Sequence, residues 1–222
     1  MPMAHTLYTF MTGIGFQLAL MICLAGTAMK LVLFFMRAAK KDKAFLAFFS
    51  FRYAGRSILF HLVPYMSRTS RMHPEMTAIT IAFHAGVLTL PFFFSAHGVL
   101  LSDSGLPRLP RFPDIVSDTL AVTGLIALLF LMGRRLFLRT VRFISSPADH
   151  LLLVSLVALF LSGIWAHFQM PEFLWASILH MAAGNLLIAS IPFTRLSHIF
   201  YMPLTRGYAG SEFGGVRMAK DW

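Results

Sequence analysis

The chain has 222 residues, 57% of them hydrophobic and 13% charged, with a formal net charge of +10 and a mean hydropathy of +0.71. A soluble domain of this length has no interior able to hide so much apolar surface, so the class is an integral membrane protein. The apolar runs are continuous rather than alternating, which excludes a transmembrane barrel and leaves an all-α bundle.

In chain order, the N-terminal MPMAHTLYTF lacks a basic n-region and a small-residue cleavage site. The first apolar run, about 8–36, therefore reads as a retained span and not as a signal peptide. It holds the single cysteine, Cys23, a small buried hydrophobe; one cysteine makes no internal disulfide, c-type haem attachment or all-Cys iron–sulfur cluster. The stretch 44–66 is apolar but carries Arg52 and Arg56 in its middle. Two guanidinium groups at bilayer depth are costly, so it reads as an interfacial amphipathic helix. The second span covers about 76–101. A proline-rich extended loop, Gly105 to Asp114, separates it from the third, about 115–133. The fourth covers 148–168 and the fifth 173–200. The remainder, 201–222, is polar and glycine-rich, and the reading expects it to be poorly ordered unless a partner holds it. With no internal repeat or soluble module, residues 1–222 read as one membrane domain of five transmembrane helices and one interfacial helix.

Charge sets the expected orientation. The connection 37–75 carries eight Lys/Arg and the connection 134–149 carries four. The opposite side has only Arg108 and Arg111, set against Asp103, Asp114, Asp118 and Glu172. The positive-inside pattern puts the N-terminus outside and the C-terminus on the cytoplasmic side of the membrane. The same distribution explains the basic excess as membrane orientation, with no nucleic-acid partner.

Ionisable residues within spans are expensive and mark function. His5, His61, His73 and His150 fall in termini, loops or interfaces, where a solvated side chain is the simpler reading. His167, beside Trp165 at the outer end of the fourth span, reads as interfacial, with a reserve role as a ligand. His84 and His97 lie in the second span, and His180 and His198 in the fifth. On a continuous helix the eighteen residues from His180 to His198 are five turns, placing both imidazoles on one stripe ~27 Å apart. The two spans run antiparallel, so His84 meets His198 at the inner side and His97 meets His180 at the outer side. Each pair can supply two axial nitrogens to a haem iron. Small neighbours (Ala85, Gly86, Gly98, Ala182, Ala183, Gly184) leave room for a macrocycle, or else serve close helix packing. Pro91 and Pro192 can bend their helices to reconcile the unequal intervals. Structural zinc would need four convergent ligands at one depth, and a proton relay would need carboxylates deep in the spans.

Three segments carry a family likeness: GRRLFLRTVRF with SPADHLLLVSL (Gly133 to Leu156), ILHMAAG around His180, and PFTRLSHIF from Pro192 to Phe200. On these the chain resembles the nitrate reductase gamma-subunit type of di-haem membrane cytochrome b. Its short length is also similar to the cytochrome b subunits of transmembrane redox complexes in sulfate reducers, such as the high-molecular-weight cytochrome c complex. The resemblance implies two b-type haems held by His84, His97, His180 and His198, and quinol or quinone chemistry, with menaquinone as the carrier, near the outer haem. It implies cytoplasmic iron–sulfur subunits, other membrane subunits and a periplasmic multihaem cytochrome c as partners. Counting back from Arg134, Arg111 stands where the family has a quinol-pocket lysine and is the candidate quinone-binding residue. Arg37, Arg134, Arg135 and Arg195 are candidates for the inner haem propionates, or plain positive-inside anchors.

The expectation is thus an electron-carrying subunit of an oxidoreductase complex, not a complete enzyme alone. Two rivals stand beside it: a haem-free anchor for a multisubunit complex, and a small histidine-based proton or solute transporter.

Overall fold

The structure, a computed structural model, describes residues 2–41 and 48–220. The described residues form helices α1 (Pro2–Thr12), α2 (Ile14–Lys41), α3 (Phe51–Leu62), α4 (Arg68–Met72), α5 (Pro74–Phe93), α6 (Ser95–Asp103), α7 (Asp114–Phe137), α8 (Arg139–Phe143), α9 (Pro147–His167), α10 (Phe173–Ser190) and α11 (His198–Gly210), with no strand among them. Among the described residues, five stretches are long and apolar enough to cross a membrane: Met3–Lys41, Pro74–Phe93, Asp114–Phe137, Pro147–His167 and Phe173–Phe193. Large apolar side chains along them, among them Leu24, Ile126, Leu151 and Leu186, are more than half exposed. Such surface is stable against lipid and not against water. The protein is an all-α membrane bundle.

The second apolar run, expected as one helix over 76–101, is two. Pro91 has no N–H to give to the Val87 carbonyl, and the chain turns extended at Phe94 (φ −73°, ψ 138°) before α6 begins. The fifth run departs further from the single helix expected over 173–200. α10 stops at Ser190, a 3₁₀ turn Ile191–Phe193 contains Pro192, and Thr194 is extended (φ −114°, ψ −176°). The Thr194 side chain caps a second 3₁₀ turn, Arg195–Ser197, by accepting from the Leu196 N–H at 3.3 Å. His180 and His198 therefore do not share one helix, and the five-turn stripe does not form. The segment after 200 is also more ordered than expected: α11 runs to Gly210 and a π-helical turn follows over Ser211–Val216. Of the interfacial segment 44–66, residues 44–47 lie outside the described residues. The helical part, α3, has 12 residues. At 1.5 Å per residue it rises ~18 Å, too short for a ~30 Å hydrocarbon core.

The chain divides into two compact units, one of Met1–Leu20 with Ala78–Ile188, the other of Met21–Thr77 with Ala189–Trp222. In the first, Leu128, Leu156, Val157 and Phe160 form a buried cluster where α7 meets α9. Helix association in lipid relies on close packing around small residues rather than on the hydrophobic effect. Phe160 illustrates this: a Cβ added at Gly124 would fall 2.8 Å from its ring, and one at Gly86 would fall 2.9 Å from the Leu120 carbonyl. At the N-terminus of α9, Ser146 and Asp149 form a capping box. The buried Asp149 carboxylate lies 3.7 Å from Arg135, which also donates to Ser145 Oγ at 2.9 Å. Asn185 of α10 donates to the Met11 carbonyl at 2.9 Å and so ties α10 to the α1–α2 junction.

In the second unit α3 lies against α11 and the π-turn. Gly210 approaches so closely that an added Cβ would fall 2.3 Å from Ser57 Cβ and 2.7 Å from the Tyr53 carbonyl. Ser57 is fully buried there, and Ser50 N–H donates to Ser211 Oγ at 2.8 Å. Pro192 packs over Gly26, and the Tyr201 hydroxyl reaches the Lys30 carbonyl at 3.4 Å.

Candidate functional site

The break after α5 creates the site. Once the chain turns at Phe94, the first turns of α6 fold back toward α5, and His97 Nδ1 comes within 2.9 Å of the Leu90 carbonyl seven residues earlier. An uninterrupted helix would carry His97 away from that carbonyl. His180, on α10, places its Nδ1 2.9 Å from the Leu159 carbonyl of α9. Gly163 makes this approach possible, because a Cβ there would lie 2.8 Å from His180 Cε1. A carbonyl only accepts, so in each ring Nδ1 carries the hydrogen and Nε2 carries the lone pair. The two rings lie within 9° of parallel with centroids 5.8 Å apart, edge to edge, with Nε2 facing Nε2 at 3.5 Å.

Two neutral imidazoles so oriented point lone pairs at each other. A proton or a metal ion between them would satisfy both. Two imidazole–metal bonds of ~2.0–2.1 Å on opposite sides of an ion would need the nitrogens ~4.0–4.2 Å apart, roughly 0.5–0.7 Å more than the observed 3.5 Å. The backbone acceptors on both Nδ1 atoms are the outer-shell partners that orient histidine ligands. Among the described residues no three His, Cys, Asp or Glu side chains converge, so the donor set is this facing pair. Both rings line a mostly apolar cavity of about 540 Å³ whose walls include Leu90, Phe94 and Phe160. That volume lies within the range of small-molecule and cofactor pockets, roughly 300–1,000 Å³. The donors, their tautomers and the adjoining space are compatible with a cofactor that the two facing Nε2 atoms would hold.

Of the four histidines singled out in the sequence, the structure thus brings His97 and His180 together. His84 lies on α5, in the first unit, with Nδ1 2.8 Å from the Thr80 carbonyl. His198 opens α11, in the second unit, with Nδ1 2.8 Å from the Arg195 carbonyl. Both have the same tautomer as the facing pair, leaving Nε2 as the basic nitrogen. Among the candidate arginines, Arg135 is engaged with Asp149 and Ser145, Arg134 adjoins it in the last turn of α7, Arg37 lies exposed near the end of α2, and Arg195 is exposed in the second 3₁₀ turn. Arg111 is exposed in the loop before α7, with its Nε 3.9 Å from where a Cβ at Gly98 would sit. Phe112 pins that loop by stacking on Phe93 and donating its N–H to the Phe93 carbonyl.

Two features of the site escaped the sequence reading. Gly163 is the only glycine of the fourth apolar run, a signal that could have marked a close approach. Conversely Gly86, read as room for a macrocycle or as packing, serves packing, and Gly184 makes only ordinary contact with Leu159. The second feature is His167. It is not a lone interfacial side chain: its Nε2 lies 2.9 Å from Asp118 Oδ1. The Phe94 ring stands edge-on to both His97 and His167, 5.2 Å from each.

Fold and site together define a five-span all-α membrane protein with a facing histidine pair in an apolar cavity. No protein-family model matches the chain. It is 32% identical over 160 residues to a protein of Nitratidesulfovibrio vulgaris (strain Hildenborough), a match covering 72% of this chain and 71% of that one, and belongs to the same family. The name of that relative, simply "Protein", states no activity.

Proposed function

We propose that the protein is a di-haem b subunit of a respiratory redox complex in a bacterial inner membrane, of the nitrate reductase gamma-subunit type. It would carry electrons between quinol, or a periplasmic cytochrome c, and cytoplasmic iron–sulfur subunits. The observation that carries the reading is the parallel, Nε2-to-Nε2 pair His97–His180. A shared proton would answer the facing lone pairs only by placing a charged ring in an apolar cavity, which is costly. A haem iron held between His97 and His180 would instead use both Nε2 lone pairs.

His97 and His180 would hold one haem, which supplies one-electron chemistry when bound. Leu90 and Leu159 keep the two rings in the ligating tautomer through their carbonyls. Gly163 keeps His180 against α9, and the apolar walls exclude water. The second haem rests on the sequence pairing of His84 and His198 alone. The twelve Lys/Arg counted in the two basic connections support the orientation with the N-terminus periplasmic.

The test is optical. The purified chain should show a b-type band in its reduced-minus-oxidised spectrum and contain about two haems per polypeptide by pyridine haemochrome. His97→Ala and His180→Ala should each remove one. A chain that purifies without any b-type band would leave the haem-free anchor as the better reading.

A further inference from the structure

The basic connection between α7 and α9 is built to present two arginines. Its one carboxylate, Asp149, faces Arg135, which also donates to Ser145 Oγ at 2.9 Å. Ser145 Oγ in turn donates to the Val141 carbonyl at 2.7 Å, and the Val141 side chain is buried. These contacts pin α8 with Val141 inward. Arg142 and Phe143 lie three and four positions after Arg139, so the three side chains share a face of the turn. All three are exposed, Phe143 by 90%. Neither Arg139 nor Arg142 meets an acid or a side-chain hydrogen-bond partner among the described residues. Two unneutralised guanidinium groups beside a bare phenyl ring suit a ligand that is anionic at one end and apolar at the other.

The membrane level of this face identifies the apolar end. α7 has 24 residues and α9 has 21. They rise ~36 and ~32 Å against a hydrocarbon core of ~30 Å, so α8, which joins their ends, lies at headgroup level. Deeper in the membrane, α7 carries an exposed apolar stripe, Ile126, Phe130 and Phe137, that ends just before the arginines. Gly133 lies on the same stripe and leaves a shallow notch beside Phe137, whose ring is 3.9 Å from where a Cβ at Gly133 would sit. An acyl chain can lie along this stripe, whereas a soluble protein reaching Phe143 from the aqueous side meets none of it. We infer that the α7–α9 connection is a binding site for an anionic glycerophospholipid. Arg139 and Arg142 hold the phosphate-bearing headgroup, Phe143 covers the glycerol region, and one acyl chain follows Phe137, Gly133 and Phe130. A zwitterionic headgroup would bring a cation beside the two guanidinium groups, so the face selects a lipid of net negative charge. This site is separate from His97 and His180 and from any group they hold.

The experiment titrates the full-length protein in detergent micelles with phosphatidylglycerol, or with phosphatidylcholine of the same chains, and resolves the bound lipids by native mass spectrometry. The wild type should prefer phosphatidylglycerol. The double variant Arg139→Gln/Arg142→Gln should weaken its tightest phosphatidylglycerol site ~10–30-fold, the loss expected for two arginines at an anionic surface. Arg139→Lys/Arg142→Lys keeps both charges and should stay within about threefold of the wild type. Arg68→Gln/Arg71→Gln removes the same charge from the other basic connection and should leave the tightest site within about twofold. A large molar excess of inorganic phosphate should not displace the lipid, because it lacks the acyl chain. Four results would each overturn the inference: a wild type without preference between the two lipids, an Arg139→Gln/Arg142→Gln protein that binds as the wild type does, an equal loss in Arg68→Gln/Arg71→Gln, or displacement by phosphate, which would mark a free-phosphate site. If Arg139→Gln/Arg142→Gln keeps the lipid but loses a co-purifying soluble subunit, the face belongs to a protein partner instead.

Discussion

At the scale of single residues, the site depends on two backbone carbonyls and one missing side chain. Leu90 and Leu159 decide which nitrogen of each imidazole is available, and Gly163 decides whether His180 can reach Leu159 at all. Gly163→Ala places a methyl 2.8 Å from His180 Cε1. The ring cannot yield without stretching its 2.9 Å bond to Leu159. Overpacking of this kind typically costs ~1–3 kcal/mol. With the proposed haem bound, the expected outcome is loss or a shift of the b-type band that also responds to His97→Ala, with Gly184→Ala, whose neighbour sits at 3.7 Å, as the silent control. Asp149 works differently. It completes the cap of α9 and faces Arg135 while being 4% exposed. Asp149→Ala should destabilise the protein by about 1–2 kcal/mol through loss of the cap, measurable as a lowered midpoint in thermal unfolding, with little change in haem content.

At the scale of elements, helix breaks matter more than helix lengths. The extended residue at Phe94 turns α6 so that His97 reaches the Leu90 carbonyl. Pro91→Ala restores the missing N–H and favours a straighter helix. His97 should then move off its partner, and the spectrum should lose the contribution of the His97–His180 pair while the protein stays folded. In the second unit, contact between α3 and α11 is set by glycines at different distances. Gly210→Ala would drive a methyl into Ser57 and the Tyr53 backbone, whereas Gly207→Ala meets only Ile58 and Ala54 at 3.5 and 3.7 Å. The first should loosen α11, at a cost of ~1–3 kcal/mol, and expose it to limited proteolysis; the second should not.

At the scale of the whole molecule, five helices are long and apolar enough to cross a membrane among the described residues, and labelling from either side reads their proposed orientation. Cys23 is buried and free, so a Cys23→Ser background permits single-cysteine mapping. Leu106→Cys, in the loop before α7, should react with a membrane-impermeant maleimide on intact cells. Ile144→Cys, in the basic connection after α8, should react only after permeabilisation. The reverse pattern would overturn the proposed orientation.

Membrane class, helical fold, the number of long apolar helices and the meeting of His97 with His180 were legible in the amino-acid sequence. They follow from local quantities: the length of apolar runs, the placement of Lys and Arg, and the high cost of an imidazole in lipid. The sequence reading went wrong where it kept each apolar run as one helix: it took Pro91 and Pro192 as bends, whereas α5 ends two residues after Pro91 and α10 ends just before Pro192, so His180 and His198 share no stripe. Nor could spacing show that Gly163 lies under His180 or that Asp118 sits beside His167. Those relations join residues 17 to 49 positions apart through the packing of α7, α9 and α10, and only the tertiary structure brings such distant side chains within hydrogen-bonding and contact distance.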